Sequence, residues 1–162
     1  MISIKGLTQK KRNQGFTIVE LLIVIVVIGI LALLVITSYA GIQAKARNAK
    51  RQSDIASLQT QLEAFFSQNG YYPSLTDMNG VAWRATNMKS LDQEALIDPS
   101  NPTQSKTLVS APVAKSYSYA PTQSDGTTSC ESADTGCAAY TLTATYEGTV
   151  NGQSTVTAQN LD

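Results

Sequence analysis

The chain reads as an α+β protein: one long N-terminal helix, apolar in its first half and amphipathic in its second, followed by a small antiparallel β-sheet head. Three features point there. Leu21 to Ile36 (LLIVIVVIGILALLVI) is sixteen residues without a polar side chain. After Tyr39 the apolar residues become periodic, and that pattern stops at Asn69-Gly70. Near the C-terminus, Tyr140, Leu142, Ala144 and Tyr146 alternate with Thr141, Thr143 and Thr145, and an Asn151-Gly152 step follows.

Extended back to Phe16, the apolar run covers twenty-one residues broken only by Thr17 and Glu20. At 1.5 Å per residue such a helix spans about 31 Å, the thickness of a bilayer core. It is hydrophobic all round, so it crosses a membrane or lies among similar helices. From Ala44 to Gln68 the pattern predicts an amphipathic helix. Ile55, Leu58, Leu62 and Phe65 or Phe66 form its apolar stripe, with Arg51, Asp54, Gln61 and Gln68 expected off it. Asn69-Gly70 supplies a left-handed cap and Pro73 follows, so the helix should end near residue 68. A continuous helix from residue 16 has about 53 residues and spans roughly 80 Å, excessive for an isolated globular domain.

Residues 74–114 read as a mixed connection with one short helix from Ser90 to Ile97, stopped by Asp98-Pro99. Strands are predicted over Lys115–Ala120, Ala139–Glu147 and Ser154–Asn160. The alternation in the second predicts a half-buried antiparallel strand, and Asn151-Gly152 predicts a tight hairpin into the third.

Composition narrows the function classes. Lys and Arg number 12, as do Asp and Glu, but Lys5, Lys10, Lys11 and Arg12 all precede the apolar run. A chain starting near residue 16 therefore has 8 bases against 12 acids, a net −4. Past residue 70 only Arg84, Lys89, Lys106 and Lys115 face nine acids, which argues against broad nucleic-acid binding. There is no histidine, the commonest general base and metal ligand. Cys130 and Cys137 are the only cysteines and without histidine cannot complete an ordinary zinc site. Export of the C-terminal part favours a disulfide between them; retention in a reducing compartment leaves two thiols. Closing so short a loop stabilises by roughly 2–3 kcal/mol on the chain-entropy account. No phosphate-binding glycine loop and no nucleophile–base pair is present, and nothing calls for a cofactor or metal.

The apolar run admits three readings. A signal peptide fits the basic start and Ser38-Tyr39-Ala40, but the apolar core is long and helical periodicity continues past it. A plain single-pass anchor fits hydropathy, although four bases precede the span and Lys45, Arg47, Lys50 and Arg51 follow it, so charge does not fix its orientation. The third reading rests on the junction Lys10-Lys11-Arg12-Asn13-Gln14-Gly15-Phe16-Thr17-Ile18-Val19-Glu20-Leu21-Leu22. A short basic leader, a glycine, an aromatic residue and a glutamate four positions later resemble the type IV prepilin processing motif. That resemblance to the type IV pilin and type II secretion pseudopilin family runs on through Gly29 to Tyr39, about 25 residues in all. Several independent positions agree, so it ranks above the other two. Phe65-Phe66, Gly70-Tyr71-Tyr72-Pro73 and Ile97-Asp98-Pro99 also look like short pieces of pilin heads.

The resemblance implies a non-catalytic filament subunit. A prepilin peptidase would cut between Gly15 and Phe16, and Phe16 would become a methylated, cationic N-terminus. Glu20 would pair with the amine of a neighbouring subunit and set axial register, because an unpaired carboxylate in a dry helix core costs several kcal/mol. Leu21, Leu22, Ile25, Ile28, Gly29 and Leu33 would lie in the filament core. Thr37 stands where the family often has a proline. The implied segments are a leader (1–15), a transmembrane or filament-core helix (16–40), its amphipathic continuation (41–69) and a head (70–162). Implied partners are further copies in a helical filament, other pilins, prepilin peptidase, and an inner-membrane assembly platform with its ATPase. The implied location is the inner membrane as a single-pass precursor, then the cell surface. A type IV pilus subunit is the main expectation, with adhesion, motility or DNA uptake as its roles. A type II secretion pseudopilin is the alternative, and a membrane-anchored or secreted binding module is the reading from another class.

Two side features weigh less. Asp125, Glu131 and Asp134 flank Cys130, but their spacing fits no calcium-loop template, so a solvated acidic loop is expected. Tyr71, Tyr72 and Trp83 are expected to pack on the helix rather than form an exposed aromatic surface.

Overall fold

The computed structural model describes residues 15–130 and 136–161. The leader ahead of Gly15, and Glu131 and Asp134 of the acidic loop, lie outside the described residues.

Helix α1 runs Ile18–Asn69 without a break. It ends where the turn chemistry predicts. Gly70 sits at φ 77, which a side chain would resist, and its N–H donates to Phe66 O at 2.7 Å. The chain divides into two compact units between Gly41 and Ile42.

In the first unit the apolar residues described along α1 are exposed. Phe16 is 87% exposed and Leu33 68%. Among the described residues α1 is the helix long and apolar enough to cross a membrane, and none of its apolar window is buried.

The second unit has a core of its own. Ile55, Leu58, Leu62 and Phe65 of α1 pack against Tyr117, Tyr119, Tyr140, Leu142 and Ala144 of a three-stranded antiparallel sheet. The strands are β1 Tyr117–Thr122, β2 Ala139–Val150 and β3 Gln153–Gln159, in the order β1-β2-β3. Tyr117 faces Ala144 and Thr143 faces Thr157, so the predicted alternation turns the tyrosines, Leu142 and Ala144 inward. Val150 pairs with Gln153 across Asn151-Gly152, with φ 51 and 79, the hairpin that dipeptide predicts. The class is α+β, as expected.

Four expectations are corrected. First, Arg51 and Asp54 are not off the buried face: they are 1% and 3% exposed. Both lie within one turn of Ile55, and ion pairs satisfy them there. Second, the connection holds two further helices, α2 Leu75–Asn79 and α3 Val81–Asn87. Ser74 nucleates α2 through a capping box with Asp77. Third, the helix expected at Ser90–Ile97 is a single 3-10 turn, Gln93–Leu96, opened by Asp92, whose carboxylate accepts from Glu94 N. Strand β1 also starts two residues later than expected, because Lys115 takes φ 66 and turns the chain.

Tyr71, Tyr72 and Trp83 pack on the helix as anticipated. Tyr72 stacks on Phe66 with centroids 4.5 Å apart, and Phe65 takes Tyr71 and Trp83 at 5.5 and 5.4 Å.

Candidate functional site

Thr17 and Glu20 open α1 as a capping box. Glu20 Oε2 accepts from Thr17 N at 2.8 Å and from Thr17 Oγ1 at 2.7 Å, while Glu20 N donates back to Thr17 Oγ1 at 3.2 Å. The carboxylate singled out in the sequence is thus occupied by its own helix start. Thr-x-x-Glu ahead of an apolar run is the sequence signal that marks this arrangement. Gly15, Phe16, Glu20, Leu21, Leu22, Ile25, Ile28 and Leu33 are all exposed. Gly29 lies in the helix, and a Cβ built there meets nothing within 4 Å. Among the described residues nothing occupies the space its side chain would take.

One turn or more beyond Gly41, the same helix turns polar residues into the head. Arg51 Nε donates to Asp98 Oδ2 at 2.7 Å and Arg51 Nη2 to Asp98 Oδ1 at 2.9 Å, a bidentate pair with both side chains buried. Arg51 also donates to Asn48 Oδ1, Ser100 Oγ and Glu147 Oε1. Glu147 takes a second bidentate arginine, Arg47, at 2.7 and 2.5 Å, and Ser100 Oγ donates to it at 2.6 Å. Asn48 bridges both backbone groups of Glu147.

The charges respond accordingly. The Arg47 hydrogen bonds, followed by that from Ser100, hold the Glu147 carboxyl down at about 2. For Arg51 burial acts against the charge, yet the bonds and field of Asp98 and Glu147 outweigh it and its pKa is raised. Burying this cluster is affordable only because every arm finds a partner. Among the described residues no buried side-chain nitrogen or oxygen lacks one.

A second polar layer lies further along the helix. Asp54 pairs with Lys50 and accepts from Tyr117 Oη at 2.8 Å. Glu63 accepts from Tyr72 Oη at 2.9 Å and from Tyr140 Oη at 2.7 Å. Burial, then the bonded carboxylate, pushes the Tyr117 and Tyr140 phenols well above their ordinary value. Two of the four bases that follow the apolar run, Arg47 and Arg51, are therefore ion-paired to residues of the head, and a third, Lys50, pairs with Asp54 one turn along its own helix. Sequence reasoning missed the two arginine pairs, because their partners lie 100 and 47 residues away.

Cys130 and Cys137 are bonded to each other and buried. Around them Tyr72 N donates to Cys137 O, Cys130 N to Pro121 O and Ala138 N to Thr122 O. The bridge thus ties the segment just past the long helix to the end of β1 and the start of β2. Asp125 is exposed and closes its own turn, accepting from Thr127 N, Thr128 N and Thr128 Oγ1; those bonds hold its carboxyl at about 2. Among the described residues no cluster of three metal-ligating side chains forms.

Comparison with known proteins bears on the N-terminal segment first. Residues 10–36 match the prokaryotic N-terminal methylation motif. The type II secretion system core protein G of Aeromonas hydrophila is 42% identical over 66 residues, 41% of this chain and 46% of that protein. The core protein G of Dickeya chrysanthemi is 40% identical over 65 residues, 40% of this chain and 42% of that protein. The type IV major pilin protein PilA of Myxococcus xanthus is 35% identical over 71 residues, 44% of this chain and 32% of that protein. The chain spans less than half the length of these curated relatives. No solved structure matches it. The resemblance drawn from the junction residues is borne out: the chain carries the methylation motif and is similar to both type II secretion core proteins and a type IV pilin.

Proposed function

We propose that the chain is a structural filament subunit and that its filament is of the type II secretion kind. One observation carries the filament reading: a methylation motif opens a helix whose apolar side chains are exposed among the described residues. Such a surface is stable only in lipid or against further helices of the same kind. The recurrence of core protein G among the similar proteins supports secretion over the pilus expected from the sequence. The likeness to PilA supports the pilus as a second reading.

On this account residues 1–15 are a leader removed by a prepilin peptidase between Gly15 and Phe16, and Phe16 is then methylated. Residues 16–40 span the inner membrane and afterwards pack in the filament. Residues 41–69 join that helix to the head, 70–162. Leu21, Leu22, Ile25, Ile28, Gly29 and Leu33 contact neighbouring copies. An assembly platform with its ATPase draws the subunit out of the membrane, alongside other pilin-like subunits.

Glu20 has two states in this scheme. In the membrane Thr17 satisfies it, as in the capping box. In the filament the Phe16 amine of a neighbour takes the carboxylate, and an ion pair replaces bonds from neutral donors. Glu20→Ala should therefore leave membrane insertion and leader removal intact while abolishing sedimentable filaments. Normal filaments from that variant would remove Glu20 from the mechanism. Deleting the gene separates the two readings: loss of an exported enzyme from the medium marks secretion, and loss of surface fibres marks a pilus.

A further inference from the structure

Three Asn-Gly steps occur in the chain, at Asn69-Gly70, Asn79-Gly80 and Asn151-Gly152. In sequence they are equivalent, and each is prone to the same reaction. The backbone nitrogen of the glycine attacks Cγ of the asparagine; a new C–N bond closes a five-membered succinimide as the bond to the side-chain nitrogen breaks. The attacking nitrogen's proton leaves with that group as ammonia. Water then adds to either ring carbonyl and opens it to aspartate or isoaspartate. No oxidant, reductant or cofactor is needed.

The fold makes the three unequal. At the first step Asn69 Nδ2 donates to Phe65 O at 2.8 Å and Gly70 N donates to Phe66 O at 2.7 Å. At the second, Asn79 Nδ2 donates to Leu108 O at 3.0 Å, Leu108 N donates to Asn79 Oδ1 at 2.7 Å, and Gly80 N donates to Thr76 O and Asp77 O at 3.0 Å. Electrophile and nucleophile are both held at each. The related Asp125-Gly126 step is held as well: its carboxylate accepts from Thr127 N and Thr128 N, and Gly126 N donates to Gln123 O at 2.9 Å. At the third step Asn151 is exposed, and among the described residues neither its side-chain amide nor Gly152 N makes a hydrogen bond.

The turn that holds Asn151 at φ 51 must still open for the ring to close. The hairpin allows that. The register shifts between Thr145 and Val150, so the tip is clamped by the Val150–Gln153 pair and not by a continuous ladder. Gly148 at φ 74 and the exposed residues beside it leave the tip without core contacts. Such a segment opens at a small fraction of the cost of global unfolding.

We infer that Asn151 is a site of spontaneous deamidation, one that places a carboxylate, and in part an isoaspartyl linkage, at the β2–β3 tip of the mature protein as it ages. Because the head is net acidic, each event adds like charge to it.

The test is peptide mapping by mass spectrometry of the full chain, kept folded in detergent in mildly alkaline buffer and sampled over time, with isoaspartate detected by enzymatic carboxyl methylation. Conversion at Asn151 is expected to outrun that at Asn69 and Asn79 by roughly tenfold or more, the factor that two or three intact hydrogen bonds impose on a step that must break them. In urea the three sites should converge on similar rates, and Asn151→Gln should remove the methylatable product from the folded protein. Equal conversion at the three sites in the folded chain, or none at Asn151, would overturn the inference.

Discussion

The two halves of α1 are one continuous helix built by opposite rules. Up to Gly41 the described residues are apolar and exposed apart from the Thr17–Glu20 cap and Tyr39; beyond it the helix presents Ile55, Leu58, Leu62 and Phe65 to a core and inserts Arg51 and Asp54 beside them. The first half leaves its described apolar residues exposed, and on the filament account they answer to lipid and to neighbouring copies. The second half is fixed by the head. Hydrophobicity alone therefore does not say which leucines stabilise this protein. Leu33 and Leu62 are the same residue type on the same helix, one 68% exposed and the other fully buried.

The largest effect expected from breaking this contrast is electrostatic. Asp98→Ala leaves the Arg51 guanidinium buried without its bidentate partner and should destabilise the head by about 3–5 kcal/mol. Chemical denaturation of the full chain in detergent, followed by tyrosine and tryptophan fluorescence, measures it. Asp98→Ala with Arg51→Met should recover much of that loss, because the buried guanidinium left with only Glu147 as its counter-charge is gone.

Next is the leucine pair itself. Leu62→Ala should lower head stability by roughly 2–5 kcal/mol. Leu33→Ala should leave the same unfolding curve within about 0.5 kcal/mol, as an uncovered residue does. Its effect should fall on filament assembly. Equal losses of head stability from both would erase the distinction between the halves.

The smallest effect is the pH response at Glu147. Its carboxyl is depressed in the folded head from an ordinary 4.5 to about 2, so its contribution is complete above about pH 4.5 and is lost as pH falls toward 2. Because Glu147 is a third exposed, solvent and salt weaken its ion pairs and the loss should be modest. Stability measured across that window should fall less steeply in Glu147→Gln than in the parent chain.

Local signals carried much of this architecture. The helix end at Asn69-Gly70, the alternation of β2 and the Asn151-Gly152 hairpin are each set by a few adjacent residues, and each lies where the sequence indicates. Arg51 defeated the same reasoning. Its burial depends on Asp98 and Glu147, which nothing local ties to it, so a charged residue one turn from the apolar stripe read as surface. The short helices α2 and α3 were hidden by length, although the Ser74–Asp77 capping box marks where α2 begins. At the junction, the motif residues were legible one by one. The mutual capping of Thr17 and Glu20 emerged only when the helix start was seen.

The most direct test of the filament account is the intact mass and N-terminal sequence of the protein taken from its native membrane. The account predicts a chain beginning at Phe16 with a methylated amine. A chain beginning at Gly41 would mean that a signal peptidase releases the head. One retaining Met1 would mean a plain anchor, and either result would contradict the account.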